Sequence, residues 1–120
     1  TNNYDLKLIA GDENYVMKMV DDILADIPEE FTLGQNYPNP FNPTTNIDFA
    51  LPISGNISLV IYNLMGQEVR TLISKNMKYG FHTILWNGLD QSGRPVSSGV
   101  YFSELRAKVF RQTKKMLMLK

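Results

Sequence analysis

The side chains that could do chemistry in this sequence of 120 residues are few and scattered. There is one histidine, His82, and no cysteine, which excludes a two-histidine zinc site, a thiolate metal site and a cysteine nucleophile. From residue 31 onward the acidic residues are Asp48, Glu68, Asp90 and Glu104, spread over separate segments, so none forms the carboxylate pair of a glycosidase. The motifs Gly-x-Ser-x-Gly and Gly-x-x-x-x-Gly-Lys are also absent. The sequence therefore predicts no enzyme.

Two candidate sites, a catalytic base and a calcium site, have a simpler structural explanation. His82 alternates with Trp86 on one strand face, which favours a core or rim histidine bonded to the backbone over a catalytic base. Asn87, Asp90 and Ser92 lie in a glycine-rich loop and could supply oxygen ligands to calcium. One carboxylate is too few for that ion, and Asx turns explain the same residues.

Three aromatic residues, Tyr62, Trp86 and Tyr101, could form a platform for stacking sugars. Alternation along their strands places Trp86 and Tyr101 inward, so core packing is the expected role. The stretch Asn56-Ile57-Ser58 matches an N-glycosylation acceptor, but the pattern is too short to carry a prediction alone.

Basic residues gather toward the C-terminal end, at Arg106, Lys108, Arg111, Lys114, Lys115 and Lys120. A nucleic-acid site would need exposed aromatic residues between them, and Phe110 alone qualifies, so no nucleic-acid partner is predicted. The same residues suit a charged sheet edge that discourages pairing between molecules, or a docking surface for an acidic partner.

The net charge of zero conceals a division of the chain near residue 30. Residues 1–30 hold eight acidic and two basic residues, a charge of −6, whereas residues 31–120 hold four acidic and ten basic residues, a charge of +6. Five of the six prolines also fall between residues 28 and 52. We therefore divide the chain into an acidic N-terminal segment, 1–30, and a domain, 31–120.

The proline-rich stretch Asn36–Pro43, called the strap below, cannot be helical. Each proline fixes its own φ and pushes the preceding residue toward extended conformations. We predict a stiff, extended strap on the domain surface, anchored by Tyr37 and Phe41.

After the strap, clusters of turn residues separate short alternating segments, which is typical of an all-β sandwich. Apolar alternation predicts strands over 45–51, 56–62, 69–73, 81–86, 99–107 and 113–119, with a polar connection over 75–80. Gly66 is expected to close a tight turn with positive φ. No βαβ spacing occurs, so we predict an antiparallel sandwich of about seven strands.

The acidic segment allows two interpretations. Tyr4, Leu6 and Leu8 alternate before a turn at Gly11, which favours a hairpin, the last of a preceding domain. Residues 16–27 also fit the spacing of an amphipathic helix, and the segment could pack back on the basic domain as an added strand or a short helix.

Membrane insertion is not predicted. No apolar run reaches the roughly 20 residues that a transmembrane helix needs. The chain begins at Thr1 without a basic-then-apolar leader, which predicts a fragment or a mature product. The lack of cysteine leaves the compartment open, because many exported bacterial proteins also have none.

A series of motifs in fixed order says more than the isolated side chains. The motifs are FTLGQNYPNPFNPTT at 31–45, VIYNLMGQEV at 60–69, GFHTILWNGLD at 80–90, GRPV at 93–96, SGVYF at 98–102 and KKMLMLK at 114–120. In this order they resemble the type A C-terminal sorting domains carried by cargo proteins of the bacterial type IX secretion system. That family overlaps the FlgD-like immunoglobulin-like modules related to the flagellar hook-capping protein.

The resemblance implies an immunoglobulin-like fold for residues 31–120, with no catalytic role and no cofactor or metal. In that family the domain directs an attached upstream cargo, after export through the periplasm, across the outer membrane to the cell surface or the medium. The implied partners are the outer-membrane secretion machinery and a sortase-like peptidase, with cleavage expected in 27–31. A domain with this role should end the natural chain at or near Lys120.

Small departures from the family's pattern also carry information. Asn87 stands where aspartate is usual, which weakens a metal interpretation of that turn. Phe110-Arg111-Gln112 replaces a more glycine-rich turn. Residues 1–30 lie outside the resemblance and look like the tail of a preceding cargo domain.

Six residues are expected to carry the sorting signal: Gly99, Tyr101, Lys115, Met116, Met118 and Lys120. A partner would read the edge of the terminal strand by strand addition, with basic side chains fixing its orientation. The simpler interpretation makes Tyr101 and both methionines core residues and Gly99 a turn residue.

A second class of function stays open. The same sandwich could be a structural or carbohydrate-contacting accessory module of a secreted multidomain hydrolase. A carbohydrate module should display exposed, coplanar aromatic residues and bind insoluble glycans, and a spacer could be followed by more sequence.

Overall fold

Residues 27–120, the part of the chain that the computed structural model describes, form two antiparallel sheets packed face to face. The strands are β1 (Thr32–Leu33), β2 (Thr45–Leu51), β3 (Gly55–Asn63), β4 (Glu68–Met77), β5 (Gly80–Trp86), β6 (Gly99–Ala107) and β7 (Phe110–Met118). One sheet has the order β1-β2-β5 and the other β4-β3-β6-β7. The predicted all-β, immunoglobulin-like sandwich of seven strands is confirmed. The hairpin or helix predicted in the acidic segment falls on residues 1–26, outside the described residues.

Alternating side chains along the strands build the core between the sheets. Ile57, Leu59 and Ile61 of β3 are buried, because successive side chains of a strand point to opposite faces. At the centre Trp86 is fully buried, with the rings of Phe41 and Tyr101 each 5.5 Å from it. Burial of such large aromatic side chains supplies much of the hydrophobic free energy of a small domain.

Strand boundaries were predicted well where turn residues flank the strand. The bounds of β2 and β6 agree with the prediction, and Gly66 has the expected positive φ of 82°. The polar connection predicted over 75–80 is wrong except for 78–79, because β4 continues to Met77, where it pairs with Gly55, and β5 begins at Gly80. The turn predicted at 110–112 is wrong as well: the turn lies at 108–109, and Phe110 already pairs with Ala107.

The strap crosses from one sheet to the other. Tyr37 forms a bridge with Asn46 of β2, and Phe41 forms a parallel bridge with Met118 of β7. Between these bridges the chain bends, so the predicted extended form is wrong for the middle of the strap. Phe41 is buried and is the predicted anchor, but Tyr37 is 48% exposed and is not. Its hydroxyl instead donates a hydrogen bond of 3.0 Å to Asp48 on the outer face.

Candidate functional site

The six residues predicted to carry a signal lie at one corner of the four-stranded sheet, where β6 begins and β7 ends. Gly99 is the register partner of Met118, and Tyr101 is the partner of Met116. The corner is closed by the backbone N–H of Lys120, which donates a hydrogen bond of 2.9 Å to the hydroxyl of Ser98. The remaining member, Lys115, lies one residue before Met116 on β7.

Three of these residues face the core and leave little or no side-chain surface open to a partner in the folded domain. Met116 and Met118 are fully buried, and Tyr101 is 6% exposed. The Tyr101 ring packs edge-on against Trp86, and its hydroxyl donates a hydrogen bond of 2.7 Å to the Ser97 carbonyl. Their role is to hold the last strand in place.

Lys115 and Lys120 are the two exposed members of the set. Lys115 projects from the outer face of the four-stranded sheet, opposite Phe102 of β6. Within residues 27–120 neither lysine takes part in an ion pair. Both ammonium groups are therefore available to a partner that carries negative charge.

The strap occupies the outer edge of β7 at its C-terminal end. Phe41 donates its backbone N–H to the Leu117 carbonyl, and its carbonyl accepts from the Leu119 N–H, both at 3.0 Å. The Leu117 N–H donates to Oδ1 of Asn39, also at 3.0 Å. Strand addition by a partner at Leu117–Leu119 would have to displace the strap.

Toward the N-terminal end of β7, hydrogen bonds that involve side chains replace backbone pairing at this edge. The Gln35 Nε2 donates a hydrogen bond of 2.7 Å to the Lys115 carbonyl, and the Leu33 N–H donates to Oε1 of Gln112 at 3.1 Å. The stretch from Arg111 to Lys115 has no strand paired to its outer edge among the described residues. A partner strand that pairs here would displace the Gln35 side chain from the Lys115 carbonyl and leave the strap in place.

Two arginines stand directly opposite each other on the outer face of the same sheet. Arg106 of β6 and Arg111 of β7, called the arginine pair below, are register partners. Like charges in that arrangement repel, and a nearly buried carboxylate offsets the repulsion. Glu104 is 8% exposed, with its Oε2 2.8 Å from the Arg111 Nε and its Oε1 3.4 Å from the Arg106 Nε.

Beside the arginine pair lies a shallow groove of about 430 Å³, with Tyr62 and Phe102 in its wall. The Tyr62 hydroxyl lies 3.4 Å from Oε1 of Glu104. Burial and then the negative charge of Glu104 raise the pKa of Tyr62 above its ordinary value of 10.0, so the phenol is neutral at pH 7. Sequence reasoning missed this cluster, because only the strand register brings Glu104 between two arginines.

The other candidates from the sequence have structural roles. His82 lies on the inner side against Phe49, and its Nε2 is 2.8 Å from the Lys78 carbonyl, as predicted for a histidine with a backbone partner. Oδ1 of Asp90 accepts the N–H groups of Ser92 and Arg94, both at 2.9 Å, which is the predicted Asx turn.

Residues 27–120 contain no group of three or more His, Cys, Asp or Glu side chains placed to hold a metal ion. They also include no helix with the length and apolar character needed to cross a bilayer.

Comparison with protein families gives one match. The model of the FlgD Ig-like domain matches residues 39–108, more than half of the chain. The chain belongs to the FlgD Ig-like domain family. The FlgD Ig-like match begins inside the strap and ends in the turn after β6, so β7 lies beyond the matched residues. A comparison with curated proteins gave no match.

Matches among solved structures include FlgD from P. aeruginosa, which is 25% identical and has a TM-score of 0.49. The match covers 62% of this chain and 57% of that chain. Two more matches are from Porphyromonas gingivalis. Dimeric latent PorU is 17% identical, with a TM-score of 0.57 over 77% of this chain. PorZ, a surface component of the type IX secretion system, is 19% identical, with a TM-score of 0.49 over 77% of this chain. This chain spans 10% of PorU and 12% of PorZ, and the likeness to PorU shows a shared fold.

Proposed function

We propose that residues 31–120 form a non-catalytic sorting domain that directs an attached cargo protein across the outer membrane through type IX secretion. The proposal rests first on the six motifs that follow one another in the order of that family over this whole stretch. A shared fold alone would not support it, since one fold serves many functions. The expected destination is the cell surface or the medium.

The side chains of β7 are divided between the core and the exposed face of the sheet. On β7 the inward positions Met116 and Met118 belong to the core, while the outward positions Arg111, Thr113 and Lys115 are exposed. A partner can therefore read β7 in its folded position. We assign recognition by the partner to the side chains of Lys115 and Lys120. The buried residues of the predicted site would hold these two lysines in position.

The proposed partners follow from this surface. The secretion machinery of the outer membrane would contribute acidic groups that contact Lys115 and Lys120. The opposite charges would speed the encounter of the domain with the machinery and fix the orientation of the bound domain. Strand addition along Arg111–Lys115 would add backbone hydrogen bonds. A sortase-like peptidase would act on 27–31, directly before β1, where Glu29 and Glu30 are exposed.

The test is a fusion of residues 31–120 to a reporter that carries an inner-membrane export signal, expressed in a host with a type IX system. Deletion of the last strand is a poor control, because it removes Met116 and Met118 from the core. The double variant Lys115→Glu/Lys120→Glu changes exposed side chains alone. Its matched control is Lys75→Glu/Lys78→Glu, which reverses two exposed charges at the end of β4.

We expect the parent fusion and the matched control to reach the surface or the medium, and the Lys115/Lys120 variant to stay in the periplasm as a folded protein. Secretion of that variant at the parent level would refute the assignment of recognition to these lysines. Retention of every fusion in the periplasm, with the reporter folded, would refute sorting itself.

A structural module is the second candidate, and one surface favours it. On the outer face of the three-stranded sheet, Phe81 is 66% exposed and Leu85 is 52% exposed. Apolar side chains of that size suit packing against a neighbouring domain. A sugar-stacking platform is not favoured, because Trp86 and Tyr101 are buried in the core, as expected from the sequence. Periplasmic retention of every fusion would support the structural role.

A further inference from the structure

The outer edge of β5 is a free sheet edge without charge. This strand ends the three-stranded sheet, and no strand pairs with its other side among residues 27–120. The other long edges, β4 and β7, carry charged side chains at Glu68, Arg70, Lys75, Arg111, Lys114 and Lys115. Over Gly80–Trp86, β5 has no Asp, Glu, Lys or Arg. Because charged side chains keep native edges from pairing with another strand, β5 lacks a common protection.

Alternate residues of β5 direct their backbone groups away from the sheet. On the neighbouring strand β2, Asn46 bonds through its backbone to Tyr37, and the Asp48 carbonyl accepts from the Gly34 N–H, all on the side away from β5. Successive residues of an antiparallel strand bond to opposite sides, so β2 bonds to β5 through its other residues, which pair with the even-numbered residues of β5. The N–H and C=O groups that point outward belong to Phe81, Thr83 and Leu85.

The same three residues show a pattern that matches itself in antiparallel orientation. Their side chains are exposed on the outer face, Phe81 by 66% and Leu85 by 52%, with Thr83 between them. With a two-fold axis at Thr83, Phe81 of one copy lies opposite Leu85 of a second copy, and the two Thr83 residues lie opposite each other. Every outward residue then meets another, and each such pair can exchange two hydrogen bonds. A shift by two residues would leave one of the three opposite a turn.

We propose that two copies of this chain associate by antiparallel pairing of their β5 strands, which joins the two three-stranded sheets into one. On the outer face, Phe81 would pack on Leu85 of the second copy, a cross-strand contact that stabilises a sheet. On the inner side, half-buried His82 would lie opposite half-buried Ile84 of the second copy, which covers the open side of the core. A strand pair of this length buries less than about 1,200 Å², so we expect a weak dimer with a Kd of about 0.1–1 mM. The association does not depend on a role in sorting.

The experiment measures self-association of the full chain by sedimentation equilibrium at concentrations up to about 1 mM. In the variant Phe81→Lys/Leu85→Lys, the proposed register places lysine opposite lysine. In Phe81→Lys/Leu85→Glu, it places lysine opposite glutamate, although the same two apolar side chains are removed. The control Leu64→Lys/Met65→Lys adds the same charge as the first variant, at apolar side chains of the β3–β4 turn that are 70% and 83% exposed.

We expect the parent chain and the control to dimerise with similar Kd values. Like charges directly opposite each other disfavour strand pairing and opposite charges favour it, and the contact occurs twice in the dimer. The Kd of the lysine–lysine variant should therefore exceed that of the lysine–glutamate variant by about tenfold or more. Equal Kd values for these two variants, or a parent chain that is monomeric at about 1 mM, would overturn the proposal.

Amide hydrogen exchange locates the contact on the chain. The N–H groups of Phe81, Thr83 and Leu85 should exchange more slowly as the concentration of the chain rises, because they gain partners only in the dimer. Those of His82 and Ile84 already bond to β2 and should not change. Slower exchange confined to another edge, such as that of β7, would overturn the assignment to β5. Fluorescence of the buried Trp86 verifies that each variant is folded.

Discussion

Gly88 offers a sharp test of how the strap is fixed to the sandwich. It lies in the loop after β5 with a φ of 77°, a left-handed conformation that side chains with a Cβ adopt at a cost of about 1–2 kcal/mol. A Cβ built at this position would lie 2.8 Å from the carbonyl oxygen of Pro43 and 3.0 Å from Cε of Met118. The substitution Gly88→Ala would therefore force the strap away from the loop after β5.

The magnitude follows from two contributions. The left-handed backbone accounts for about 1–2 kcal/mol. The contact with Pro43 involves backbone that cannot rotate away, so it resembles overpacking of a core, which adds about 1–3 kcal/mol. Gly66 and Gly93 have nearly the same φ, 82° and 85°, and no atom within 4 Å of a built Cβ. Gly66→Ala and Gly93→Ala therefore carry the backbone contribution alone.

The assay is urea unfolding followed by the fluorescence of Trp86, the sole tryptophan, which is fully buried. We expect Gly88→Ala to lower the free energy of unfolding by about 2–5 kcal/mol, and each control substitution by about 1–2 kcal/mol. If Gly88→Ala falls within about 0.5 kcal/mol of the controls, the close approach of strap and loop contributes nothing, and the reasoning is refuted.

Two further predictions concern the outer faces of the sheets. The hydrogen bond to Asp48 raises the pKa of Tyr37 above 10.0, so the folded state holds this proton more tightly than the unfolded chain. This contribution to the free energy of unfolding is fully present below pH 10 and is lost as the pH rises through the folded-state pKa of Tyr37. Asp48→Ala should lower the Tyr37 pKa in an NMR titration, and an unchanged pKa would contradict this. Glu104→Gln should lower the free energy of unfolding in urea by about 1–2 kcal/mol, because Arg106 and Arg111 then face each other without a carboxylate. A decrease of less than about 0.3 kcal/mol would contradict this prediction.

The sequence was a good guide to elements that are local and a poor one to contacts between them. Residues 45–51 and 99–107 have turn residues at their ends, so their strands were predicted with the observed bounds. The end of β4 was missed because Ser74 and Asn76 are polar, and only pairing with β3 keeps this stretch in the sheet. Strand propensity is weak evidence where packing decides.

The residues of the candidate site also differ in how far the sequence predicts their placement. Burial of Met116 and Met118 follows from alternation, and both methionines are core residues as that pattern indicates. The placement of Glu104 between Arg106 and Arg111 depends on the register of β6 against β7, which no local pattern encodes. The wrong anchor, Tyr37, has the same origin, since a tyrosine in an extended stretch can face either side of the sheet.

The parallel pairing of the strap with the end of β7 has a mechanical consequence. Pulling on residue 31 and residue 120 in opposite directions would draw the strap and β7 past each other along their length. The two bonds of Phe41, with those of Gln35 and Asn39, would then be loaded together in shear. Hydrogen bonds strained at the same time resist a higher force than bonds opened one after another. The strap therefore resists tension between residue 31 and residue 120 while β7 stays paired with β6.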